Sequence, residues 1–133
     1  MTKLRGGEQT VRMRAVPAGG VVSREAPLDP LPHGMTLTLE ATEGPARGRT
    51  FHLSGRLTVL GREEGDIRLE DPSISRRHAT LEVLDMETII LRDLSSTNGT
   101  YHNDQLIAFC KVADGDEIRL GSTALVVGVE RLG

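Results

Sequence analysis

From Met35 to the end of the chain, polar and apolar residues alternate in short runs that glycine or asparagine turns interrupt. This alternation is typical of β-strands that bury one face, because successive side chains point to opposite sides of a sheet. No stretch of roughly eleven residues sustains the apolar stripe of a helix. Short strands at this spacing predict an all-β sandwich or barrel. The runs are MTLTLEA, RTFHL, LTVLG, DIRL, HATLEV, TIILRDL, EIRLG and TALVVGVERL.

The first 34 residues have a different composition. They hold four of the six prolines and two pairs of adjacent glycines, and they show no sustained period. They also carry five basic and three acidic side chains, a net +2, whereas the whole chain carries −3 and the remainder therefore −5. We interpret residues 1–34 as a disordered basic N-terminal tail and residues 35–133 as one folded domain.

Composition excludes several classes of protein. Cys110 is the only cysteine, so the chain has no disulfide framework, and it fits a reducing compartment such as the cytoplasm. No apolar run approaches the roughly 18 residues that span a bilayer, and no signal peptide is recognisable. Aromatic residues make up 2% of the chain and the net charge is negative, which argues against a nucleic-acid surface. We expect a cytoplasmic protein that binds neither membranes nor nucleic acids.

Three segments between the predicted strands are rich in hydroxyl, guanidinium and glycine groups: LGREEGD, DPSISRRH and SSTNGTYHN. The loops of a sandwich gather at its ends, where function tends to lie. One hypothesis for them is catalysis by Ser73 or Ser75 with His78 as the base. It lacks a well-placed orienting carboxylate and an oxyanion motif. The four histidines likewise lack the spacing of a zinc site. We therefore expect no enzyme activity and no cofactor.

Anion binding suits these segments better. Guanidinium groups donate paired, charge-assisted hydrogen bonds to phosphate oxygens, and glycines let backbone amides approach a ligand. For Asn98 and Gly99 a plain type I′ hairpin turn is a sufficient alternative explanation. The candidate donors are Arg62, Ser75, Arg76, Arg77, Thr97 and Asn98, and the adjacent glycines are Gly61 and Gly99.

The order and spacing of these pieces resemble the forkhead-associated (FHA) domain. The resemblance rests on GREEGDIRLEDPSISRRHA, LRDLSSTNGTYHND and DGDEIRLGSTALVV. It implies a two-sheet antiparallel β-sandwich of about eleven strands that binds phosphothreonine peptides. It assigns phosphopeptide binding to Arg62, Ser75, Arg76, Thr97 and Asn98. It assigns loop support to Gly61, His78 and Gly99. Asp104 stands where a turn glycine is common in the family, which leaves the shape of that loop open.

These features predict a non-catalytic, monomeric adaptor in Ser/Thr kinase signalling. Its partners would be phosphothreonine-containing proteins, namely a Ser/Thr kinase or its substrates. The alternative is a phosphate-independent interaction module that uses a face of the sandwich. Thr10, in the predicted tail, is a candidate phosphorylation site, and its phosphorylated form could occupy the domain's own site.

Overall fold

The computed structural model describes residues 29–132, and within this range every regular element is a β-strand. The all-β prediction is confirmed. Within the same range no helix could span a membrane. The eleven strands are β1 (Met35–Glu43), β2 (Thr50–Leu53), β3 (Leu57–Gly61), β4 (Ile67–Arg68), β5 (Ala79–Asp85), β6 (Thr88–Asp93), β7 (Thr100–His102), β8 (Gln105–Ile107), β9 (Phe109–Val112), β10 (Glu117–Leu120) and β11 (Thr123–Arg131).

The strands form two sheets, as the resemblance implied. The five-stranded sheet has the order β9-β6-β5-β3-β4, and the six-stranded sheet has the order β2-β1-β11-β10-β7-β8. All pairs are antiparallel except β3 and β4, which run parallel with Leu60 opposite Ile67 and Gly61 opposite Arg68. This parallel pair brings the loops at both ends of β4 close to the end of β3.

The core lies between the sheets and follows the sequence alternation. In β1 the buried residues alternate with more exposed ones, and Leu37 and Leu39 are fully buried. Leu81 of β5 and Leu91 of β6, in the other sheet, belong to the same core cluster and are also buried. Burying a side chain of this size contributes about 1.5–3 kcal/mol, so these long central strands form the rigid frame on which the loops stand.

The folded contacts begin before Met35. The backbone N–H of Arg56 donates to the carbonyl of Asp29 at 2.9 Å, and Leu31 donates to Ser54 at 3.3 Å. Pro30 forms an isolated bridge with Gly55. The predicted boundary between residues 34 and 35 is therefore corrected, since residues 29–34 belong to the folded unit. Residues 1–28, with Thr10, lie outside the described range, so the disordered tail and the binding of phosphorylated Thr10 stay predictions.

The loop that contains Asp104 is a tight hairpin between β7 and β8. His102 pairs with Gln105, so only Asn103 and Asp104 lie in the turn. Both have positive φ, at 48° and 70°. Positive φ at both central residues defines a type I′ turn, which asparagine and aspartate tolerate better than most residues. The two-residue turn therefore forms with Asp104 at a position of positive φ.

Candidate functional site

Three loops meet at one end of the sandwich: residues 62–66 between β3 and β4, residues 69–78 between β4 and β5, and residues 94–99 between β6 and β7. Ser75 joins them. Its carbonyl accepts a hydrogen bond from the backbone N–H of Arg62 at 3.0 Å. Its hydroxyl oxygen accepts one from the N–H of Thr97, also at 3.0 Å. The structure thus brings together residues that are up to 35 positions apart in the sequence.

The guanidinium groups of Arg62 and Arg76 lie next to each other. Nε of Arg62 donates to the carbonyl of Ile74 at 3.0 Å, which orients the group over the 69–78 loop. Nη1 of Arg62 lies 2.6 Å from one carboxylate oxygen of Glu63, and Nε of Arg76 lies 3.2 Å from the other. Two predicted donors therefore converge on one small volume. Arg77 is exposed, and none of the described residues forms an ion pair with it.

The remaining predicted donors complete the same surface. Thr97 and Asn98 are both exposed, and Asn98 Nδ2 donates to the carbonyl of Ser73 at 2.9 Å. That contact leaves the Asn98 side-chain oxygen as an acceptor. Ser75 accepts from Thr97, so its own hydroxyl proton remains able to donate.

His78 is fully buried beneath this surface. Its Nδ1 accepts from the backbone N–H of Ser75 at 3.0 Å, and its Nε2 lies 2.8 Å from the carbonyl of Gly99. Because Nδ1 is an acceptor, the proton of the neutral ring must be on Nε2, where it donates to Gly99. Both ring nitrogens are thereby engaged with backbone groups, and neither is available as a base for the Ser75 hydroxyl.

Two glycines are required at this end of the sandwich, Gly61 by the close approach of backbone carbonyls and Gly99 by its positive φ. A Cβ on Gly61 would overlap the carbonyl oxygen of Arg76 and lie 2.5 Å from that of Glu64. Gly99 has a φ of +87°, and a Cβ there would lie 2.6 Å from Cδ1 of Leu106. The strands on either side of Gly99, β6 and β7, belong to different sheets. The hairpin explanation of Asn98 and Gly99 is therefore wrong, because this loop crosses between sheets.

Two carboxylates that the sequence interpretation did not assign to the site hold its loops. Asp71 is 3% exposed and accepts hydrogen bonds from the N–H of Ser73 at 2.9 Å and from its hydroxyl at 2.5 Å. It also accepts from Ser122 N–H at 3.0 Å and from the Thr123 hydroxyl at 2.8 Å. Asp71 thus ties the 69–78 loop to the turn between β10 and β11. Its spacing to Ser73 is that of an Asx-turn, a local signal that sequence could have supplied.

Asp93 has the same role in the 94–99 loop. It accepts hydrogen bonds from the Ser96 hydroxyl at 2.5 Å and from the Thr100 hydroxyl at 2.7 Å. Ser96 in turn accepts from the N–H of Gly99 at 2.9 Å. Ser95, between Asp93 and Ser96, has a φ of 57°, an unusual value for serine that this network maintains. The loop is therefore fixed from beneath by one carboxylate.

Hydrogen bonding lowers the pKa of both carboxyls. Burial alone would raise the pKa of Asp71 above its ordinary value of 3.8, but the bonds from Ser73, Thr123 and Ser122 together outweigh burial. The pKa of Asp93 is lowered in the same way: burial would raise it, and hydrogen bonds from Ser96 and Thr100 help to outweigh burial. A carboxyl whose pKa is lower in the folded than in the unfolded chain stabilises the fold above its unfolded pKa, and this contribution is lost as the pH falls through the folded pKa.

We expect Asp71→Asn to lower the free energy of unfolding by about 1–3 kcal/mol at pH 7, because the amide presents two N–H donors to groups that themselves donate. As the pH falls from 3.8, the ordinary value, through the lower pKa of the folded carboxyl, the parent loses this contribution, so the stabilities of parent and variant should converge. Urea unfolding between pH 7 and pH 2.5 measures both. A stability difference that stays constant over this range would contradict the assignment.

Comparisons with known proteins agree with this architecture. The FHA domain family profile matches residues 58–121. The FHA domain-containing protein FhaA of Mycobacterium tuberculosis is 38% identical over 95 residues, which cover 71% of this chain and 18% of FhaA. The glycogen accumulation regulator GarA of Mycolicibacterium smegmatis is 36% identical over 110 residues, 82% of this chain and 68% of GarA. The chain thus spans less than a fifth of one relative and about two thirds of the other.

A solved structure shows the same fold. It comes from a structural and functional analysis of phosphothreonine-dependent FHA domain interactions, is 36% identical to this chain and superposes with a TM-score of 0.65. The match covers 73% of this chain and 99% of the solved domain. Sequence likeness across most of a relative and structural likeness across a whole solved domain lead to one conclusion: this chain belongs to the FHA domain family.

Proposed function

We propose that this protein is a non-catalytic adaptor that binds phosphothreonine peptides in Ser/Thr kinase signalling, with Arg62, Ser75 and Arg76 as the phosphate contacts. The observation that carries the proposal is the convergence of three loops on Ser75, with two guanidinium groups beside it. The solved FHA domain that the chain matches is described as phosphothreonine-dependent, which supports the same ligand.

The donors fit a phosphate group. A phosphothreonine carries about −1.5 to −2 charges at pH 7 and three strong acceptor oxygens. Each charge-assisted hydrogen bond contributes about 1.5–3 kcal/mol, whereas an unmodified threonine offers no such acceptor. A few such bonds are enough to make binding depend on a kinase. The partners are accordingly phosphothreonine-containing proteins, either a Ser/Thr kinase or its substrates.

Thr97 and Asn98 complete the peptide site. Thr97 is exposed and its N–H meets Ser75, so its hydroxyl is close enough to the proposed site to donate to the same phosphate. Asn98 is held by the Ser73 carbonyl and keeps an acceptor that can receive a backbone N–H of the peptide. The two residues place the phosphate and the adjoining peptide backbone in a fixed relation.

Catalysis has no support in this geometry. A serine nucleophile needs a base within hydrogen-bond reach of its hydroxyl. The nearest histidine, His78, contacts the backbone N–H of Ser75 and the carbonyl of Gly99 instead. Ser75 is better suited to donating its hydroxyl proton to a ligand than to attacking one.

The alternative of a phosphate-independent interaction face is less well supported. Leu57 and Phe109 are 59% and 63% exposed on the outer face of the five-stranded sheet. The ion pair between Glu82 and Arg92, at 2.8 Å, lies between them. A charged pair in the middle of the face divides its apolar surface, which is unlike a continuous hydrophobic interface.

A degenerate phosphothreonine peptide mixture, labelled with fluorescein, tests the proposal. We expect saturable binding in fluorescence anisotropy, and we expect phosphatase treatment of the same peptides to abolish it because the charged acceptors are removed. Binding that survives phosphatase treatment, or no binding to either form, would contradict the proposed function.

A further inference from the structure

Glu63 lies between the two arginines of the proposed phosphate site. Its Oε2 is 2.6 Å from Nη1 of Arg62, and its Oε1 is 3.2 Å from Nε of Arg76. The two oxygens of one carboxylate therefore engage two different guanidinium groups. This is the same bridging arrangement that two oxygens of a phosphate would make with these side chains.

A phosphate and Glu63 cannot use these donors at once. Each N–H makes one well-directed hydrogen bond: Nη1 of Arg62 donates one to Glu63, and Nε of Arg76 forms an ion pair with the same carboxylate. The two anions would also repel each other at such short range. A phosphopeptide that uses the remaining N–H groups of both arginines lies beside a second anion while Glu63 stays in place, so binding is tighter once the carboxylate is displaced.

Glu64, the next residue, provides a contrast on the same loop. Its carboxylate has one distant contact, 3.5 Å from Nη2 of Arg76, and among the described residues it forms no hydrogen bond or ion pair with Arg62. The side chains of Glu63 and Glu64 are both 50% exposed. The two residues thus share charge, loop and solvent access, and they differ in whether the carboxylate bridges the arginines.

We propose that Glu63 is a built-in competitor of the phosphate: in the unliganded domain it occupies the position between Arg62 and Arg76, and its displacement lowers the affinity for every phosphothreonine ligand. The inference rests on the proposed function, because it concerns the same site. Exposed ion pairs are individually weak, so the competition is a moderate effect that limits affinity without preventing binding.

Glu63→Gln and Glu64→Gln form a matched pair of variants. Each removes one negative charge from the 62–66 loop, so any general electrostatic gain is the same in both. Glutamine at position 63 keeps the size of the side chain and an acceptor oxygen but loses the charge that binds both guanidinium groups. With the degenerate phosphothreonine mixture at physiological salt, we expect the Kd of Glu63→Gln to be about 3- to 10-fold lower than that of the parent. We expect the Kd of Glu64→Gln to stay within about twofold of the parent.

Other results would distinguish a specific competitor role of Glu63 from a general effect of negative charge. Equal tightening in both variants would mean a general charge effect and would overturn the competitor role. No tightening, or weaker binding, in Glu63→Gln would overturn it too, because Glu63 would then position the arginines instead of competing for them. If the parent protein binds no phosphorylated peptide, the proposed function itself fails, and the inference with it. Thermal unfolding of all three proteins should coincide, since the exchanged side chains are half exposed.

Discussion

Arg62→Ala should weaken the binding of a phosphothreonine peptide by about 10- to 150-fold, because it removes a charge-assisted hydrogen bond that contributes about 1.5–3 kcal/mol. Arg62 is the better anchored of the two arginines. Its Nε is held by the carbonyl of Ile74, and 35% of its side chain is exposed, against 66% for Arg76. A guanidinium that is already oriented loses less conformational freedom when the ligand binds, so its bonds contribute more to affinity. Arg76→Ala should have the smaller effect.

The measurement is isothermal titration calorimetry with a single phosphopeptide selected from the degenerate mixture. Arg131→Ala is the matched control, because it removes the same charge at the far end of β11, roughly 26 Å along the strand from Thr123. The free energy of unfolding should change by less than about 1 kcal/mol in Arg62→Ala, since its ion pair with Glu63 is exposed to solvent. An affinity of Arg62→Ala within twofold of the parent would remove Arg62 from the site.

The longer strands could be predicted because their apolar residues alternate over several positions. β1 and β11 each have nine residues, and the sequence segments MTLTLEA and TALVVGVERL cover most of them. The strands β7, β8 and β9 have only three or four residues each and were not identified. Three or four residues are too few to distinguish alternation from chance, and pairing with neighbouring strands decides their conformation.

In the candidate site, too, some residues could be predicted from the sequence and some contacts could not. Arg62 and Ser75 could be predicted because they belong to a motif with a fixed order and spacing. The bond from Ser122 to Asp71 joins residues 51 positions apart, and no local pattern indicates it. The contact of Glu63 with both Arg62 and Arg76 is likewise a product of the way two loops meet. The candidate donors can therefore be predicted from a single sequence, whereas the groups that hold or oppose them follow only from the way the loops meet.

His78→Ala should lower the free energy of unfolding by about 2–4 kcal/mol and should also weaken phosphopeptide binding in molecules that remain folded. The substitution leaves a cavity at a fully buried position and deprives Ser75 N–H and Gly99 C=O of their side-chain partner. These two groups belong to the 69–78 and 94–99 loops. Once the bridge is lost, the loops are joined by the backbone bond from Leu94 N–H to the carbonyl of residue 78 and by the exposed contacts of Ser75 with Thr97 and of Asn98 with Ser73. Ligand binding must then order the loops, and the affinity falls by the free energy of that ordering.

Loss of stability alone must be separated from loss of the loop bridge. Leu37→Ala provides the control, because Leu37 is fully buried and pairs with Val129, near the end of β11 remote from the site. Its cavity should cost about 2–5 kcal/mol, a loss similar to that of His78→Ala, with an unchanged Kd at a temperature where both variants are folded. Amide hydrogen exchange should be faster in His78→Ala at Thr97 and Gly99, and it should not be faster there in Leu37→Ala. Weaker binding of His78→Ala with unchanged exchange in both loops would mean that His78 acts on the ligand directly, since a bridging residue can affect the phosphate only through the loops it joins.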